Sequence, residues 1–139
     1  MLIRLIYVSR CRARAENDLA QILDWSRRVN PDLGVTGVLL YLDEAYMQYL
    51  EGEEYTVDRL FESIRRDTRH RGVTPLERRE IPKRAFPEWT MATLEWSDNT
   101  RNIFRSFAPG RKLDLYAADP STGAPLIRAL VRAPGWKLM

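Results

Sequence analysis

The side chains in this sequence best suited to selective chemistry are Tyr7, Asn30, Gln48, Asp67, Arg69, His70, Trp89 and Met91. Gln48 is the most informative. It interrupts a run of strand-forming residues, between Met47 and Tyr49. A neutral amide in such a place is costly to bury unless its donors and acceptors find partners. Gln48 is therefore either at an edge facing water, the commoner case for a lone strand Gln, or committed to a specific polar partner inside the molecule, and we take the second reading. Tyr7 alternates with Ile3 and Leu5, so its phenol also enters an apolar face and needs a partner for its hydroxyl. A phenol, two amides, a carboxylate and a guanidinium lining an apolar slot suit a flat heterocycle that offers both acceptors and N–H groups.

Other chemistries find little support. The only histidine, His70, has no nucleophile at a recognisable spacing, so no hydrolytic triad can be assembled. It also has no second His or Cys nearby for a metal site. By itself it reads as a dipole partner at a helix end. The seven glycines are scattered and form no phosphate-binding loop.

The elements that must position these groups follow from periodicity. Ile3 to Ser9 reads as a strand. Asn17 to Val29 reads as a helix with Asn17 as N-cap and a stripe of Leu19, Ile22, Leu23 and Ser26. Pro31 disfavours helical geometry in the residue before it, so this helix is expected to stop at Asn30. Val35 to Leu42 and Ala45 to Glu51, separated by Asp43-Glu44, read as a hairpin. A second helix from Thr56 carries Val57, Leu60, Phe61 and Ile64 on one stripe and ends near Asp67 to His70. Residues 72 to 84 read as an irregular fourth strand with Pro75 and Pro82. Trp89 to Trp96 reads as a fifth strand, with Trp89, Met91 and Thr93 on one face.

This order, β-α-β-β-α-β-β, is a ferredoxin-like α+β pattern with one added strand. Both helices are expected on one face of the sheet. The other face is left for residues 97–139, a C-terminal helical cap built from helices near 100–107 and 125–133. The division is then a domain over 1–96 and an extension over 97–139 too short to hold its own core.

The chain has 139 residues and a net charge of +3, which fits one domain of ordinary size. Its single cysteine, Cys11, allows no internal disulfide and fits a reducing, cytoplasmic setting. The stretch MLIRLIYVS reads as too short and too polar afterwards for a signal peptide, and no apolar run approaches the length needed to span a bilayer. The arginine pairs at 27–28, 65–66 and 78–79 are interleaved with acids and read as solvated faces, so nucleic-acid binding is weakly supported.

The strings LIYVSR (5–10), SRRVNPDLGVTGVLLY (26–41), MQYLEG (47–52), DTRH (67–70) and RAFPEWTM (84–91) occur in an order that resembles the BLUF domains, blue-light receptors that use FAD. The resemblance covers about residues 2 to 93. It implies that Tyr7 is the photoactive tyrosine, Gln48 the switching glutamine and Asn30 the residue on the flavin's pyrimidine edge. It implies that Asp67, Arg69 and His70 flank the ring near its carbonyls, that Met91 lies in the flavin site, and that Trp89 and Met91 relay the signal. Two positions depart from the family pattern: Val29, where a polar residue often precedes the asparagine, and Ser63, where some relatives carry an arginine.

The implied function is light-driven electron and proton transfer from tyrosine to flavin, recombination, a rearranged glutamine and a small red shift, without a covalent bond. FAD is the implied cofactor, with FMN or riboflavin possible in its place. The output would be non-enzymatic, through strand five and the cap to a homo-oligomer or a separate effector protein. The alternative is a ferredoxin-like binding module for nucleic acid or protein without flavin. A redox flavoenzyme is less well supported, since no nicotinamide motif is present.

Overall fold

The structure is a computed structural model that describes residues 1–11, 15–68 and 70–138, without the side chains of 15–18. In chain order the elements are β1 (Leu2–Cys11), α1 (Ala15–Leu33), β2 (Thr36–Leu42), β3 (Ala45–Glu53), α2 (Glu54–Arg66), β4 (His70–Glu80), β5 (Ala92–Leu94), α3 (Asp98–Ser106), α4 (Gly123–Val131) and β6 (Trp136–Lys137). Together the strands form one sheet in the order β4-β1-β3-β2-β5-β6. β5 runs parallel to β2, and the other pairings are antiparallel. The arrangement is the expected ferredoxin-like α+β sheet.

Alternation along β1 divides the core in two. Ile3, Leu5 and Tyr7 face α1 and α2, and meet Ile22 of α1 and Val57, Leu60, Phe61 and Ile64 of α2. Ile6 and Val8 face the other side, where Phe104 of α3, Leu115, and Leu126, Ile127 and Leu130 of α4 cover the sheet. The C-terminal extension thus supplies the second layer, because an apolar sheet face must be buried against something.

The β2–β3 hairpin turns through Asp43 and Glu44, both in the left-handed region (φ 48° and 68°). Two successive positive-φ residues match the right-handed twist of the flanking strands. The register places Gln48 directly opposite Tyr7 on β1 and Leu39 on β2.

Several expectations need correction. α1 does not stop at Asn30; Pro31 lies inside it, and it runs to Leu33. Gly34 (φ 67°) closes the helix, with its N–H donating to Pro31 O and the Val35 N–H donating to Asn30 O. This double bond pattern satisfies the last carbonyls and stabilises the turn that proline alone would have ended. The stripe therefore extends as Ile22, Ser26 and Asn30, all buried. α1 also begins at Ala15, two residues before Asn17, so Asn17 lies inside the first turn and is not the N-cap.

The fifth strand is shorter than 89–96. Residues 86–91 are irregular, with Trp89 N donating to Phe86 O and Gly37 N donating to Trp89 O. Strict two-residue alternation holds only in extended backbone, so Trp89 and Met91 do not share a face. Met91 joins the core under α1 and α2, while Trp89 packs on the cap side. β4 starts at His70 and ends at Glu80, and Pro75 sits where the β1–β4 register shifts. β6, which pairs with β5, had no periodic signal in two residues. Arg27 is not a fully solvated residue: it reaches Met91 O at 3.4 Å.

Candidate functional site

Between α1, α2 and the sheet lies a narrow slot lined by Tyr7, Gln48 and Leu50 from the sheet, Ile22, Trp25, Ser26 and Asn30 from α1, Leu60 and Ile64 from α2, then Asp67 and His70. Its free volume is about 20 Å³. It adjoins an open groove of about 740 Å³ between the outer parts of the two helices, which shares Trp25 and Leu60 and also exposes Tyr55, Arg59, Ser63 and Arg66. A polar floor thus continues into a wider mouth.

Gln48 is 2% exposed and Tyr7 is fully buried. Because the two stand opposite each other on neighbouring strands, the Tyr7 hydroxyl donates to Gln48 Oε1. The other end of the amide, Nε2, donates to Met91 Sδ at 3.3 Å. One amide therefore spans β1 and the segment leading into β5. Burial pushes the Tyr7 phenol pKa far above its ordinary value, and the nearby Tyr46 and Asp67 add to the shift. Loss of a proton from Tyr7 to water is strongly disfavoured in this setting.

His70 is buried at the start of β4, beyond the helix end, and its Nδ1 lies 2.8 Å from Ser9 Oγ. Its ring stands edge-on to Tyr7, 6.0 Å between centroids, and 5.2 Å from the Tyr46 ring. Asp67 caps α2 and lines the slot. Arg69 lies outside the described residues.

Asn30 is 1% exposed, and neither Oδ1 nor Nδ2 has a hydrogen-bond partner among the described residues. Leaving a whole amide buried and unsatisfied costs about 1–3 kcal/mol. Such a group at the wall of an apolar slot suits a planar ligand edge that carries both N–H and carbonyl groups, as the pyrimidine end of a flavin does. The residues present therefore fit this cofactor.

The structure brings together Tyr7, Asn30, Gln48, Asp67, His70 and Met91, and places Trp89 elsewhere. Trp89 is stacked on Phe86 at 5.2 Å and lies 5.3 Å from Trp136. Sequence reasoning did not single out Ser9, Trp25, Ser26 or Tyr46 for the site. Ser9 and Ser26 did carry a signal, since each is a polar residue on an otherwise inward-facing row.

The family model described as BLUF, sensors of blue-light using FAD, matches residues 2–92. The chain is 34% identical over 110 residues to the photoactivated adenylate cyclase subunit beta of Euglena longa, and 32% identical over 110 residues to that of Euglena gracilis. Each match covers 78% of this chain but only 12% of the relative. Among solved structures, BlsA in its photo-activated state superposes with a TM-score of 0.88 at 30% identity, covering 99% of this chain and 100% of that one. BlrB, a BLUF protein in its dark state, gives 0.75 at 32% identity, covering 94% of each. The module shared with these proteins is a flavin-binding sensor rather than an enzyme. Its family match, its fold and its orphaned slot amide agree: the chain belongs to the BLUF family, the sensors of blue light that use FAD.

Proposed function

We propose that this chain is a blue-light photoreceptor whose switch is the Tyr7–Gln48–Met91 hydrogen-bond chain. The observation that carries this reading is the buried amide of Gln48, which accepts from Tyr7 and donates to Met91. Bound flavin would supply blue absorption and, when excited, a strong one-electron oxidant. Asn30 would hold its pyrimidine edge, with Asp67, Arg69 and His70 flanking its carbonyl side, and Trp25, Leu60 and Ile64 would wall the ring.

Tyr7 is the electron and proton donor in this reading. A bare phenolate is disfavoured by burial, so the proton does not leave Tyr7 ahead of the electron; it passes along the hydrogen bond to Gln48 as the phenol is oxidised. Both return afterwards, so Tyr7 is not consumed. Gln48 can come back rotated, or as its imidic tautomer, and then offers different ends to its neighbours. The Gln48–Met91 bond is the contact most directly disturbed. The disturbance passes through 86–94 to Trp89 and the cap, and from there to a second copy or an effector protein. The flavin bound is FAD, with FMN or riboflavin able to occupy the ring site.

The test is an absorption spectrum before and after blue light. A reversible red shift of the flavin band is expected from wild type. Gln48→Leu should still bind flavin and lose the shift; a shift that survives would remove Gln48 from this role.

A further inference from the structure

We propose that Glu51, which lies on the opposite side of the sheet from the slot, is a positioning residue that sets where Met91 and Asn30 stand relative to Gln48. This rests on the flavin reading above for its consequence, though not for its geometry. Glu51 is fully buried. Its Oε1 accepts from Ala85 N at 2.7 Å and from the Tyr49 hydroxyl at 3.4 Å, and its Oε2 accepts from Phe86 N at 2.7 Å and Thr36 Oγ1 at 2.8 Å. The Arg84 guanidinium binds the same knot from outside, donating to Thr36 Oγ1, Glu51 O and Gly34 O.

Three pieces of chain meet on this carboxylate: the α1–β2 junction, the end of β3 and the segment that leads to β5. Each carries one polar group of the slot within a few residues. Asn30 precedes Gly34, Gln48 precedes Glu51, and Met91 follows Phe86. Two consecutive backbone N–H groups on one carboxylate hold 85–86 in a single orientation. Gly37 N, bound to Trp89 O, holds the far end. An added Cβ at Gly37 would lie 1.9 Å from Tyr49 O, so β2 and β3 approach there as closely as only glycine allows. With both ends fixed, the backbone between them has one way to present Met91 inward and Trp89 outward.

The substitution that probes this is Glu51→Gln. It keeps the shape of the side chain but turns one acceptor into an NH₂ donor that faces the N–H of Ala85 or Phe86. In flavin-free protein, amide exchange of the peptide spanning 85–91 should accelerate by about tenfold or more, the scale of one buried donor left unsatisfied, while β1 and α2 stay protected. In flavin-loaded protein, riboflavin affinity should weaken by no more than the roughly tenfold expected of Asn30→Ala, because Asn30 stands on the α1–β2 junction that the carboxylate ties down and is shifted rather than removed. The dark-state recovery should change several-fold and the light-induced shift should shrink. Exchange at 85–91 that matches wild type, or accelerates equally everywhere, would overturn the anchoring role. Unchanged recovery and shift would overturn the positioning of Met91. If Glu51→Gln does not fold, Thr36→Val removes a single donor from Oε2 and should move both readouts in the same direction, less far; silence in both would overturn the proposal. A wild-type protein that shows no light response would defeat the flavin reading alone, and the exchange measurement would still decide on Glu51.

Discussion

Tyr7 and Gln48 are linked because strand pairing puts position 7 opposite position 48 and alternation turns both inward. Removing either partner leaves a polar group buried without its bond, at a cost of about 1–3 kcal/mol. Asn30 behaves in the opposite sense. Its amide has no partner among the described residues, so Asn30→Ala should leave the flavin-free protein as stable or slightly more so. The same variant should weaken flavin binding by about tenfold, the worth of one or two hydrogen bonds of ~1 kcal/mol. Thermal melts without flavin and fluorescence titrations with riboflavin check the two halves separately.

The buried phenols also set a pH limit. Burial raises the Tyr7 pKa strongly, and burial with Glu51 alongside pushes Tyr49 up to about 12. In the unfolded chain both phenols ionise near 10. Above that pH the unfolded state has lost these protons while the folded state still holds them, so folding becomes less favourable as pH rises. Denaturant midpoints should be flat with respect to these groups up to about pH 9 and fall above about pH 10. Tyr49→Phe should make that fall shallower.

At the scale of elements, the C-terminal turn of α1 is the least obvious part of the design. Gly34 in the left-handed region permits the helix to continue past Pro31, and that last turn is what directs Asn30 into the slot. Gly34→Ala should cost about 1 kcal/mol or more through backbone strain and should weaken flavin binding as well, since the cap and Asn30 share one turn. A melt and a titration on the same variant test this coupling. The segment 86–91 is the second such element. It sends Met91 to one core and Trp89 to the other, which is the route across the sheet that the proposed switch would use. Trp89 meets Trp136 of β6 there, so under the proposed relay the short C-terminal strand would belong to the receiving surface.

At the scale of the molecule, two cores lie on the two faces of one sheet, and the proposed function assigns the ligand to one and the output to the other. A ligand that binds only the folded state at a hundredfold excess over its Kd adds about 2.7 kcal/mol of stability, so flavin should raise Tm by several degrees in a chain of this size. Inverting a two-state equilibrium from 1:99 to 99:1 requires about 5.5 kcal/mol. One rearranged amide, at ~1 kcal/mol per hydrogen bond, supplies part of that. Blue light should therefore raise amide exchange in 86–94 and in β6 without unfolding the cap. Exchange confined to α1 and α2 would place the output elsewhere. Among the described residues no helix is long and apolar enough to cross a membrane.

Much of this was legible in the order of residues. The stripe of α2, the inward and outward rows of β1, the Asp43-Glu44 turn and the misfit of Gln48 in an apolar run each follow from local periodicity and the cost of burying a polar group. The family strings then named the chemistry. What the chain order could not disclose depends on particular hydrogen bonds, one of them local and the others between distant segments. The last turn of α1 survives Pro31 because Gly34 and Val35 return to cap it. Trp89 and Met91 part because 86–91 is held by Glu51 and Gly37 instead of by a ladder. β6 exists because β5 offers it an edge. In each case a specific hydrogen bond outweighed the local preference that periodicity records: a local cap for α1, a buried carboxylate for 86–91 and a strand pairing for β6.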